Sequence, residues 1–172
     1  LQADPYLVEA VRARAEALVE VANYKDARVA YADLAKALPF DPLLRASLAG
    51  LQTNYSDAMP HLDKAVELAP NAAWTYRERG MVHLMFERLE LAVRDLTTAV
   101  TMDPSDANAL EGLFMAGSLI GDGEAAEAWG RKSLEADPED YDLWFQMGIF
   151  LRTIGKSTDA IAEKIALGLD KM

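Results

Sequence analysis

The stretch Asn71–Pro104, NAAWTYRERGMVHLMFERLELAVRDLTTAVTMDP, decides the fold. Its apolar residues recur at helical spacing: Met81, Leu84 and Met85 in the first half, then Leu89, Ala92, Val93, Leu96 and Val100 in the second. No alternation of period two competes with that pattern. Glu87-Arg88 divides the halves as a tight turn, so the unit reads helix, turn, helix. Pro104 closes it, because proline cannot continue a helix and restricts the residue before it.

Working outward, the closing proline recurs. Pro5, Pro39, Pro70, Pro104 and Pro138 stand 34, 31, 34 and 34 residues apart. A fixed period in that range is the mark of stacked repeats. The unit from Pro104 to Pro138 has the same plan, with Gly121-Asp122-Gly123 at its turn. Gly80 aligns with Gly148, and Ala92 with Ala126 and Ala160; small residues there let the two helices of a hairpin approach closely. The reading is an all-α, right-handed α-solenoid of helix-turn-helix repeats, one domain over residues 1–172, with repeats at about 6–39, 40–70, 71–104, 105–138 and 139–172. The first helices are expected near 6–21, 42–53, 72–86, 106–119 and 140–153, and the second near 24–38, 56–69, 89–102, 123–136 and 157–170.

Composition narrows the function. The net charge of −11 repels phosphate backbones and argues against nucleic acid as a partner. No apolar run approaches the roughly 20 residues that a membrane-spanning helix needs. The absence of cysteine excludes disulfides, thiol catalysis and cysteine–zinc sites. The chain begins at Leu1, so the sequence leaves the compartment and an upstream leader open, with a slight lean to the cytoplasm.

These residues resemble the tetratricopeptide repeat family, whose 34-residue pattern runs from a large residue through Leu-Gly, an aromatic and two alanines to a closing proline. Trp144, Met147-Gly148, Leu151 and Ala160 match in the last unit; Ala92, Leu96, Ala99 and Pro104 match in the middle one. Ala15, Leu18, Ala27, Tyr31 and Pro39 fit in the first.

Two units depart from the pattern. The second is three residues short, between Ala49 and Ala58, and carries Pro60 early in its second helix. Ser56 is the expected N-cap, which would put Pro60 in the first turn, where its missing N–H costs little. The fourth carries Ala126, Gly130 and Ser133, leaving room that Trp144 and Phe145 are expected to fill. Trp129 reads as core or as an exposed anchor.

A search for chemistry yields no catalytic residue, no metal ligand set and no cofactor motif. His61 and His83 lie in different repeats, and His83 reads as a packed, hydrogen-bonded histidine. The acids Asp137, Glu139, Asp140 and Asp142 sit at a repeat junction, where they favour a helix N-terminus. There is no Gly-rich phosphate loop, G-x-S-x-G or H-E-x-x-H. The chain is therefore read as a non-enzyme.

What the resemblance implies is a concave groove lined by first helices. By position it should present Trp74, Arg77, Met81, Leu84 and Met85 from the third repeat, Asn108, Glu111, Met115, Ser118 and Leu119 from the fourth, and Asp142, Phe145, Ile149, Arg152 and Thr153 from the fifth. Arg12 and Glu16 stand where the chaperone-binding subtype has its carboxylate clamp, so that clamp is absent. Asn108 alone does not make the asparagine ladder of the sugar-transferase subtype. The apolar members are expected to form one continuous stripe with an acidic N-terminal end. The expected function is an interaction scaffold for a protein or peptide with apolar anchors and basic or neutral flanks. The alternative is a regulatory or sensor domain of a larger enzyme or assembly. The last helix, with Ile161, Ile165 and Leu169, has no repeat after it and is expected to stack on a second copy unless Lys164, Asp170 and Lys171 solvate it.

Overall fold

The computed structural model describes residues 5–159. Among them are nine α-helices and no strand: α1 Pro5–Glu20, α2 Tyr24–Ala37, α3 Pro42–Gly50, α4 Tyr55–Leu68, α5 Ala73–Met85, α6 Leu89–Met102, α7 Ala107–Ile120, α8 Gly123–Ala136 and α9 Tyr141–Thr153. The expected second helix of the last repeat, with Ile161, Ile165 and Leu169 and the proposed self-stacking, lies outside the described residues apart from its first positions.

Two backbone devices repeat along the chain. The first joins one hairpin to the next. Leu38, Ala69, Asp103 and Asp137 cap the second helices, and each carbonyl accepts the N–H of the residue three places on, Asp41, Ala72, Asp106 and Asp140, at 3.2, 3.2, 3.2 and 3.4 Å. The residue between that begins each turn is proline, which has no N–H to leave unpaired. Asp41, Asp106 and Asp140 then cap the following helix through their side chains, for example Asp140 Oδ1 accepting from Leu143 N at 2.9 Å.

The second device reverses the chain inside a hairpin. Asn23, Arg88, Asp122 and Lys156 donate their N–H to the carbonyls of Leu18, His83, Gly117 and Leu151 at 2.8, 2.8, 3.0 and 2.8 Å. The preceding residue is left-handed in every case: Ala22 and Glu87 at φ 56°, Gly121 at 87° and Gly155 at 74°. This is the Schellman ending. The α3–α4 hairpin has no such residue, and α3 is only 9 residues long. The missing three residues have removed the last helical turn and its reversal together.

That hairpin also corrects the expected capping. Asn54, not Ser56, caps α4 by accepting from Asp57 N at 2.9 Å, while Ser56 donates its hydroxyl to Asn54 Oδ1. Pro60 therefore lies inside the helix rather than in its first turn, and the Ser56 carbonyl loses its helical donor.

Small residues set the packing. Ala27, Ala58, Ala92 and Ala126, equivalent in the four hairpins, are fully buried. A Cβ on Gly80 would stand 2.7 Å from Leu96 Cγ, so α5 and α6 touch almost backbone to side chain. A Cβ on Gly130 would collide with Met147 Sδ and stand 3.1 Å from the Phe114 ring. The space above Gly130 is thus filled by Met147 and Phe114, not by Trp144 and Phe145 as expected, because Met147 lies on the buried face of α9 with Leu143 and Leu151 while Phe145 is exposed. Trp129 is half-buried between two core clusters, over Gly117, rather than standing free.

One polar network is buried in this apolar stack. Arg79 grips Asp95 with two bonds, Nε to Oδ2 at 2.6 Å and Nη2 to Oδ1 at 3.1 Å, and reaches Asp63 at 2.9 Å. His83 Nε2 lies 3.5 Å from Asp95 Oδ2, and Tyr55 OH pairs with His83 Nδ1 at 3.0 Å. The chain of contacts links α4, α5 and α6. Burial holds the His83 imidazole below its usual pKa, with Asp95 opposing and Arg79 reinforcing the shift. His83 is thus the packed, bonded histidine the sequence suggested. Tyr55, His83 and Asp95 line up in the order of a proton relay, but the pairing is closed inside the core, where Arg79 already neutralises Asp95.

Candidate functional site

The first helices α1, α3, α5, α7 and α9 carry one register position that organises the site. It lies seven residues after each ruler proline and holds Arg12, Ala46, Arg77, Glu111 and Phe145. Arg12 Nη2 meets Asp41 at 2.9 Å, and Arg77 Nη1 meets Asp106 at 3.0 Å. In both cases the aspartate is the N-cap of the next repeat's first helix. A cation on one repeat is thus clipped to the cap of its successor. At the second repeat the clip is gone from both sides at once, with Ala46 facing the sequence position of Ala72, which makes no side-chain cap.

At the fourth repeat the sign is inverted. Glu111 holds the arginine's position, and the following cap is Asp140. Burial, with Asp140 and Asp142 adding to it, pushes the Glu111 carboxyl above the ordinary glutamate range.

Beside these acids lies an apolar furrow of about 440 Å³ between α7 and α9. Phe114, Met115, Ser118 and Leu119 form one wall, and Gln146, Ile149, Phe150 and Thr153 the other. Glu111, Met115 and Leu119 follow one another at helical spacing, as do Asp142, Phe145 and Ile149, so the acids stand at one end of the furrow. Leu119 is 63% exposed, Phe145 59% and Ile149 45%, so apolar side chains from both helices reach solvent on this face. Arg152 is exposed toward the opposite end of α9 and forms no ion pair among the described residues.

The expected site residues divide between packing and surface. Arg77 is committed to Asp106 and Glu78. Met81 is half-buried and packs on Gly112 of α7. Leu84 was expected in the groove but is buried at 6%, in the cluster of Ala92, Leu96 and Leu113. The physical reason is the single residue step: Leu84 and Met85 differ by one helical position, and the α6 and α7 contacts cover the former. Trp74 is half-buried; Met85, Asn108, Asp142 and Arg152 are exposed. The continuous stripe is therefore interrupted at α5, and the furrow between α7 and α9 brings together Met115, Leu119 and Ile149. Phe114, Gln146 and Phe150 were missed, since aromatics on a core-facing stripe give no sign that one edge reaches solvent.

Among the described residues no three His, Cys, Asp or Glu side chains converge as metal ligands. No helix of the described chain is long and apolar enough to cross a membrane.

The architecture defines a helical-repeat solenoid. Residues 129–162 match the family model of the tetratricopeptide repeat. The chain is 29% identical over 109 residues to the TPR repeat-containing thioredoxin TDX of Arabidopsis thaliana, and 30% identical over 92 residues to Superkiller complex protein 3 of Mus musculus. Those stretches are 63% and 54% of this chain but only 27% and 6% of the two relatives, so the chain spans a minor part of either. Among solved structures, Pseudomonas aeruginosa PilF superposes with a TM-score of 0.83 at 18% identity, over 94% of this chain and 76% of that one. MamA of Desulfovibrio magneticus RS-1 gives 0.75 at 20% identity, over 95% and 93%. YrrB, described as a TPR protein with an unusual peptide-binding site, gives 0.64 at 18%, over 92% and 89%. These likenesses establish the fold as that of the tetratricopeptide-repeat solenoids, and residues 129–162 match one such repeat.

Proposed function

We propose that this chain is a non-catalytic protein-interaction scaffold, and that the α7–α9 furrow takes a partner segment with apolar anchors and a basic side chain at one end. The observation that supports this most is the exposed apolar furrow ending on Glu111, at the position where two other repeats hold an arginine against the next cap. A lysine or arginine of the partner would supply the cation that this repeat lacks. The exposed Arg152, at the other end, favours a neutral or acidic residue there and so a single direction of binding. Methionine and aliphatic walls adapt to varied apolar side chains. A peptide-binding site described for YrrB is in keeping with such a role.

The test is a pair of fluorescent peptides with the same leucine anchors and either Lys or Glu at one end, followed by anisotropy and stopped-flow. The Lys peptide should bind more tightly, and added salt should slow its association more than its release. Glu111→Arg should reverse the preference, and Ile149→Asp should weaken both peptides. Binding that ignores both the peptide charge and Glu111 would place the partner elsewhere.

A further inference from the structure

A second cleft, of about 330 Å³, opens among α2, α3 and α4, away from the furrow. Its charged lining runs against the character of the chain. Acidic residues outnumber Lys and Arg by 28 to 17, yet Arg28, Lys36, Arg45 and His61 line this cleft and no carboxylate does. Chance placement in so acidic a protein would give the opposite balance.

The arginines are also unspent. Arg12, Arg77, Arg79 and Arg131 each meet a carboxylate within 3.0 Å. Arg28 forms no ion pair among the described residues. Arg45 makes one bond, Nη2 to the Pro39 carbonyl at 3.3 Å, and its Nε is buried with no acceptor. It is the one buried side-chain polar atom among the described residues left in that state. A buried donor without an acceptor is costly, and such an atom needs an explanation. Lys36 is paired with Asp33 at 2.8 Å on the exposed face. His61 is held below its usual pKa by burial and by Arg45, with Asp57 opposing. Beneath the cations the floor is apolar: Ala35 and Leu48 are buried, and Ala32 is half-buried.

We propose that this cleft binds an organic anion, its apolar body on Ala32, Ala35 and Leu48 and its carboxylate or phosphate group held by Arg28 and Arg45. A guanidinium presents a planar fork that matches either group, and turning the Arg45 head toward a bound anion would give its Nε the acceptor it lacks. The volume suits a small ligand or a single side chain with its neighbours. The second helices and α3 build the site, so it is independent of the α7–α9 furrow.

The test uses the full chain, labelled for NMR, titrated with hexanoate, hexyl phosphate, inorganic phosphate and hexanol. Hexanoate or hexyl phosphate should give saturable shifts confined to α2, α3 and α4 and should raise the His61 titration midpoint, because a neighbouring anion favours the imidazolium. The stronger of the two identifies the head group. Arg28→Gln and Arg45→Met should each weaken binding at least about tenfold, the size expected for losing a charge-assisted contact. Arg45→Met should leave the thermal midpoint unchanged or raise it, since it removes an unsatisfied donor while keeping the apolar stem. The proposal is overturned if neither organic anion shifts the cleft, if hexanol does so equally, if inorganic phosphate binds as well as hexyl phosphate, or if the variants bind as the parent does.

Discussion

Glu111 faces Asp140 across the gap that Arg77 bridges to Asp106 one repeat earlier. The solenoid thus carries the same structural position in a closed, an erased and an inverted form, and the inverted one borders the furrow.

This arrangement stores mild repulsion. Glu111→Gln should raise stability by about 0.5 kcal/mol at neutral pH, a small figure because solvent screens a half-exposed group. The folded pKa of Glu111 is raised, so its destabilising effect is present at higher pH and vanishes as pH falls below the ordinary glutamate value of roughly 4.3. The gain should therefore be lost near pH 4, and chemical denaturation at the two pH values checks it. Glu111→Arg should gain more, by closing the clip onto Asp140, while reversing the preference for a basic peptide.

The buried pair behaves differently. Asp95→Ala leaves Arg79 and His83 without their shared acceptor and should cost about 3–5 kcal/mol. The double variant Arg79→Met/Asp95→Leu should recover much of that loss. A double variant no more stable than the single one would mean that the network specifies the α4–α5 fit rather than merely satisfying itself.

His83 gives the molecule an acid-sensitive side. Its folded pKa is lowered by burial, so the neutral form stabilises the fold fully above the unfolded value of roughly 6.5 and loses ground as pH falls through it. Denaturant midpoints should drop between about pH 7.5 and 5.5, and His83→Gln should reduce that slope. His61, shifted in the same direction, should supply what remains.

The hairpin reversals offer a direct comparison. Glu87 sits at φ 56° where two other hairpins use glycine. Glu87→Gly should stabilise by about 0.5–1 kcal/mol, and Gly121→Ala should destabilise by a similar amount, because only glycine takes that conformation without a Cβ penalty. Paired thermal melts would show opposite shifts.

The proline ruler made the hairpins and most helix edges readable, since each proline ends a unit wherever tertiary contacts fall. Asn54 was misjudged in favour of Ser56 because both side chains can cap and only the backbone angles choose between them. Leu84 and Met85 share an apolar stripe, and which one is covered depends on where α7 lies, thirty residues away by sequence. The arginine clip was visible in spacing alone, but its partner belongs to the next repeat, so its meaning emerged only when the repeats were stacked. The basic cleft gave no signal, because Arg28, Arg45 and His61 come from three different helices.

The second repeat lacks both the left-handed reversal and the inter-repeat clip. In a linear array each unit is stabilised chiefly by its neighbours, so cooperativity passes along the chain only as strongly as its weakest joint. Here that joint rests on the Arg79–Asp63 tie and on the contacts of α4 with α5. The first two hairpins should then open as a separate unit, and native-state amide exchange should show protection in α1–α3 capped at a lower free energy than in α5–α8. A protein whose two halves unfold at different thresholds can surrender one end to strain or to a protease while the other keeps hold of its partner.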